Sequence, residues 1–212
     1  TFRMLATLEH TSFIAKDRGA TTYSLGPIAL VLGLAAREQV GVTRLAVKYL
    51  DALVSEFNES VAVIVRDDME CVTVERLQCT HDVRVQMPLG RRRPMYAGAS
   101  GKVLLAYAPA DVRTKILDGE LVRFTPRTIT NKIKLKQELK RILEQGYANS
   151  SGEMAADVLA IAAPVFSADG QVLSTLSMSI PVGRAPTDIG PVVKKLKASA
   201  ASLSAELGYR PA

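Results

Sequence analysis

Residues Leu159–Ile180 read LAIAAPVFSADGQVLSTLSMSI, and the way this stretch pairs with itself decides the fold. Two β-rich runs flank Ala168-Asp169-Gly170. Asp-Gly between such runs predicts a hairpin with a two-residue turn. With that turn, Ala168 lies opposite Gln171. Counting back sets Ala162 against Ser177 and Ala160 against Ser179. Side chains alternate faces along a strand, so these four share one face. Ile161, Ala163, Leu176 and Met178 share the other, which has the bulk to pack against helices. The first face carries two hydroxyls and two methyls, which leaves room. It is either a ligand pocket or a place where another backbone approaches closely.

Upstream lies Gly90–Lys102, GRRRPMYAGASGK. A run of small residues, Ala97 to Gly101, feeds the apolar Val103-Leu104-Leu105-Ala106, which predicts a buried helix. The first N–H groups of a helix have no intrahelical acceptor and sit at the positive end of its dipole, which suits an anion. A tight loop-to-helix packing joint is the other reading. A nucleotide-phosphate loop is excluded, because Tyr96 and Val103 stand where that motif needs glycine and Ser or Thr.

Ser60–Arg66 and Cys71–Leu77 are β-rich around an Asp67-Asp68 turn. Val83–Met87 is expected as a further strand. Helices are expected over 42–57, 111–117, 135–145 and 189–207, with 128–134 as a connection. Leu135, Leu139, Ile142 and Leu143 mark the inner face of the third of these, and Gly146 lies just past its end.

At the front, Phe2, Leu5 and Leu8 have helical spacing. Strands are expected at 13–15 and 21–25 around a turn at 16–20. Gly26-Pro27 starts a helix, and Ile28–Gln39 is apolar around most of its surface, so it must be covered. A helix followed by a small hairpin is the back half of a winged helix-turn-helix, or a helix and hairpin with no partner. In the first case Thr1, Arg3, Lys16 and Arg18 would meet DNA phosphates.

The 212 residues are 48% hydrophobic with a formal charge of +6, which supports a packed core and permits nucleic acid or acidic ligands. Two cysteines give no disulfide framework, in keeping with a reducing cytosol, and Cys71, Cys79 and His81 do not match a zinc-site spacing. No metal or cofactor is expected. No apolar run reaches the ~18 residues of a membrane span. Thr1 is not a natural start, so the chain is expected to be cut at its front.

Together these pieces resemble the isocitrate-lyase-regulator (IclR) family of bacterial transcription factors. The stretches that carry the resemblance are TFRMLATL, YSLGP, NESVAVIV, PLGRRRPMYAGASGKVLLA, LKRILEQGYA, LAIAAPVF and STLSMSIP. The resemblance implies an α+β chain in three parts. These are the end of a winged helix-turn-helix over 1–26, a linker helix over 27–40, and a GAF/profilin-like effector domain over 41–212 with an antiparallel sheet flanked by helices. It implies a dimer, or a dimer of dimers, and DNA as the partner of the complete front domain. It also implies a small organic acid as effector, held between the SGK loop and the hairpin. By position its contacts fall on Ala99, Ser100, Ala160, Ser177 and Ser179 and near Ser150, with Glu153 close by; the N–H of Gly101 and the methyl of Ala162 are expected to complete the site. Some relatives place a cysteine at Ala160 and an acid at Ser150.

With Ala160 and Ala162 as floor, the body of the acid is expected to be apolar, aromatic acids included. Arg91–Arg93 are expected on a solvated rim. An enzyme acting on a small carboxylic acid is the alternative function, but the expected pocket holds only serines and no histidine to activate one. A sensor module working through protein contacts alone is a third reading.

Overall fold

The computed structural model describes residues 2–17, 19, 22–39 and 41–211. The chain divides into two compact units, Thr1–Arg44 and Leu45–Ala212.

In the first unit, α1 (Phe2–His10) leads to a two-stranded antiparallel ribbon, β1 (Ile14–Lys16) with β2 (Tyr23–Leu25), and then to α2 (Pro27–Gln39). The end of α1 is fixed by Thr11, whose hydroxyl and N–H both donate to the Thr7 carbonyl. Gly26 joins ribbon to helix because nothing larger fits. Its N–H donates to the Phe13 carbonyl at 2.8 Å, and a Cβ there would lie 2.1 Å from the Ser12 oxygen. Pro27 then occupies the first helical position, where its missing N–H costs nothing. Helix α3 (Val42–Phe57) crosses from this unit into the next.

The second unit is built on a six-stranded antiparallel sheet in the order β5-β4-β3-β8-β7-β6. Its strands are β3 (Ser60–Asp67), β4 (Glu70–Leu77), β5 (Arg92–Pro94), β6 (Ala148–Ser151), β7 (Val158–Phe166) and β8 (Val172–Pro181). Four helices complete it: α4 (Ala99–Ala106), α5 (Ala110–Asp118), α6 (Lys132–Gln145) and α7 (Gly190–Glu206). α7 packs on one face, against β7 and β8; α4 packs on the other, with α6 and α5 against it. α3 is tied to α7 by Tyr49, which donates to Glu206 at 2.6 Å, and by the Lys195–Glu56 ion pair.

The central hairpin has the expected register by an unexpected route. Ala160 faces Ser179 and Ala162 faces Ser177. The turn, however, holds three residues, not two: the Ser167 N–H donates to Gln171 and the Gly170 N–H to Ser167, with Gly170 at φ 79°. Such a turn shifts the pairing by one. A bulge between Val165 and Phe166 then shifts it back, because Leu173 is the extra residue on β8. The two offsets cancel before the strands reach the residues that matter.

Other expectations need correction. Val83–Met87 is not a strand, because the outer edge of β4 is taken by β5 instead. Lys132, expected in a connection, opens α6, capped by the Asn131 side chain, which accepts from the Lys134 N–H. Leu143 is 47% exposed, while Leu135, Leu139 and Ile142 form the buried face of α6. The edge strand β6 was not expected; four residues of ANSS carry too little apolar periodicity to announce a strand.

Candidate functional site

The start of α4 is built by close packing. Gly98 precedes it at φ 78°, and a Cβ on Gly101 would lie 3.0 Å from both the Pro94 and Met95 carbonyl oxygens. The small residues therefore let the helix begin against the backbone that leads into it. The Gly98 N–H is already satisfied by the Glu153 carboxylate at 3.2 Å. The N–H groups of Ala99, Ser100 and Gly101 have no acceptor within the helix. Ser100 is 5% exposed, and its hydroxyl is buried without a hydrogen-bond partner.

Lys102 does the opposite of what an anion-binding lysine would do. It is 1% exposed and turned into the protein. Its Nζ meets Glu153 Oε1 at 2.5 Å, Glu138 Oε1 at 3.1 Å and the Asn149 carbonyl at 3.1 Å. One buried cation thus joins α4, α6, β6 and the β6–β7 loop. Burial opposes ionisation of Glu138, but Arg141 and Lys102 overcome it and hold its carboxyl below the usual range.

Beside the start of α4 lies a cavity of about 400 Å³. Ala99, Ser100, Gly101, Ser150, Ala160, Ser177 and Ser179 all line it. Ser150 is brought there by its place opposite Ala160 in the β6–β7 ladder. Ala162 is not in the lining. It is fully buried in the core cluster that contains Val103 and Leu105, so the helix covers that end of the small-residue face. The Ser179 hydroxyl donates to the Met87 sulfur at 3.5 Å, which draws the irregular 83–87 segment over the end of β8. Met154 and Val158, from the β6–β7 loop, supply further apolar wall.

Sequence reasoning missed the β4–β5 side of the cavity. Cys71 and Thr73 line it, and so do Arg84, Arg91 and Arg93. The expectation that all three residues of Arg91–Arg93 lie on a rim is wrong for Arg93. Cys71 pairs with Arg93 and Val72 with Arg92, so alternation sends Arg93 to the cavity face and Arg92 to the other. There Arg92 meets Asp67 at 2.6 Å and Glu70 at 2.7 Å. The alternation was readable once the strand pairing was known; the three-residue strand itself gave no sequence signal. Burial pushes the Cys71 thiol up from its usual 9.0 to about 11, against the opposing effect of Arg93.

In the first unit, Arg3 on α1 and Lys16 at the end of β1 are both exposed. Thr1 and Arg18, expected beside them, lie outside the described residues.

Comparison with known proteins gives the same family from three directions. The family described as "Bacterial transcriptional regulator IclR C-terminal" matches residues 34–205. The HTH-type transcriptional regulator KipR of Bacillus subtilis is 32% identical over 98% of this chain and 83% of its own length. The crystal structure of a regulator from Alicyclobacillus acidocaldarius is 30% identical, with a TM-score of 0.87 over 98% of this chain and 84% of that one. An IclR homolog from Microbacterium hydrocarbonoxydans, solved in complex with 4-hydroxybenzoate, is 25% identical with a TM-score of 0.85, covering 97% of this chain and 83% of that one. KipR and the Alicyclobacillus protein are transcriptional regulators. With the fold, the glycine-built start of α4 and the matched residues in agreement, the chain belongs to the IclR family of bacterial transcriptional regulators.

Proposed function

We propose that the second unit senses a small organic carboxylate with an apolar body, and that the first unit belongs to the DNA-binding end of a cytoplasmic regulator. The observation that carries the effector reading is the buried Ser100 hydroxyl, unpartnered at the start of α4 and facing a cavity of about 400 Å³. A buried polar group without a partner costs free energy, roughly 1–3 kcal/mol, and a ligand oxygen relieves that cost. The free N–H groups of Ala99–Gly101 add donors of the right sign for a carboxylate. Ile64, Val83, Met87, Met154 and Val158 suit an apolar body. The 4-hydroxybenzoate complex of the Microbacterium homolog supports an aromatic acid as one member of the class.

The test is a thermal-shift screen of aromatic and aliphatic carboxylates, since ligand bound to the folded state raises the melting temperature. The best acid is then titrated calorimetrically into Ser100→Ala and Ala160→Leu. Ser100→Ala is expected to weaken binding by about tenfold, the size of one charge-assisted hydrogen bond. Ala160→Leu is expected to penalise bulky acids more than small ones. A screen in which no acid raises the melting temperature would overturn the reading.

For DNA, the exposed Arg3 and Lys16 are assigned to phosphate contacts in the longer protein. Replacing either by alanine should weaken binding to all sequences and lower the salt slope by about one. The apolar face of α2, where Leu30, Val31, Leu32 and Leu34 are all at least 49% exposed, is assigned to pairing with a second copy of the chain.

A further inference from the structure

Four side chains contain a buried polar atom with no hydrogen-bond partner among the described residues: Arg84, Ser100, Ser174 and Thr175. Ser100 and Arg84 both line the cavity beside α4, and both can donate. Arg93, half-buried in the same wall, adds further donors. Among the described residues no ion pair or side-chain hydrogen bond holds its guanidinium, while its neighbour Arg92 is held by two carboxylates on the opposite face. Burial, reinforced by Arg91 and opposed by Cys71, pushes the Arg93 pKa down, as for a cation that has lost part of its water. Against these arginines the lining offers one carboxylate, the exposed Asp157. The chain also brings Arg93 close to the start of α4, because Gly101 rests on the carbonyls of Pro94 and Met95, the next two residues.

We propose that Arg93 is the residue that makes this cavity selective for acids, its guanidinium fork closing on the same carboxylate that the start of α4 and Ser100 receive. The inference rests on the effector reading above and adds to it a named source of charge recognition. Helix amides and a hydroxyl donate to a neutral amide oxygen as well as to a carboxylate oxygen, with some preference for the charged one. A guanidinium fork matches the two oxygens of a carboxylate and gains from their charge, so it separates the two. Among the described residues Arg93 has no side-chain partner to lose, so its removal leaves the sheet intact.

Calorimetric titration of the 212-residue chain with two acids and their matched amides tests this. The pairs are 4-hydroxybenzoate against 4-hydroxybenzamide, and hexanoate against hexanamide. The unaltered chain is expected to bind an acid about tenfold or more tightly than its amide. Arg93→Met is expected to lower acid affinity most of the way to that of the amide, leaving amide binding and melting temperature nearly unchanged. Arg93→Lys, which keeps the charge without the fork, should restore part of the preference. Equal loss of acid and amide in Arg93→Met would mark Arg93 as structural and overturn the proposal. So would an acid preference undiminished by the substitution; in either case the carboxylate-effector reading stands. Binding of neither acid nor amide by the unaltered chain removes both readings together.

Discussion

At the scale of single residues, the two charges with most at stake are Lys102 and Arg93, and they differ in kind. Lys102 is enclosed by two carboxylates and a carbonyl. Lys102→Met would leave Glu153, 6% exposed, without its cation, and a broken buried pair costs about 3–5 kcal/mol. Urea denaturation should show that loss as a lower midpoint with an unchanged slope. Cys71 gives a second test. Its thiol titrates near 9 when exposed and near 11 in the fold. Between those values the unfolded chain has released the proton and the folded chain retains it, so stability falls as pH rises through that window. Two pKa units correspond to roughly 2–3 kcal/mol. Cys71→Ala should flatten the decline in melting temperature between pH 9 and 11; an unchanged decline would assign it to other groups. The lysine of the SGK stretch could not be read as buried from sequence. Its partners Glu138 and Glu153 are 36 and 51 residues away and meet it only through tertiary packing.

At the scale of elements, what the sequence made legible was periodicity and turn chemistry. The helix starts at Pro27 and Ala99, the αL stop at Gly146 and the central hairpin all carry local signals. Strands β5 and β6 do not, being three and four residues long and defined by their neighbours. This is why the α4 and hairpin side of the cavity could be placed from sequence and the arginine side could not. Counting along the hairpin reaches Ala160, Ser177 and Ser179 only because the bulge cancels the extra turn residue, whereas Arg93 depends on the β4–β5 register. The start of α4 yields a prediction of its own. Gly101→Ala forces a Cβ against two backbone oxygens, so the helix must move off the Pro94–Met95 turn. Overpacking of this kind costs about 1–3 kcal/mol, and carboxylate binding should fall with it. A melting temperature within a degree of the parent would mean that the helix shifts freely.

At the scale of the whole molecule, the question is what covers α2. Its apolar residues exceed what a lone solvated helix tolerates. Light scattering at micromolar concentration should give at least a dimer mass, and Leu30→Glu with Leu34→Glu should reduce it to that of a single chain. A single-chain mass for the unaltered protein would overturn the pairing. No helix among the described residues is long and apolar enough to cross a membrane. The paired offsets in the central hairpin have a consequence at this scale too. Because the bulge at Leu173 restores the phase that the tip at Ser167–Gln171 has lost, the strand phase at Ser177 and Ser179 is matched to a tip of this length. A fluorophore carried on an exposed side chain of that tip, with its length kept, therefore rides on the sensing domain without re-aiming the side chains that do the sensing.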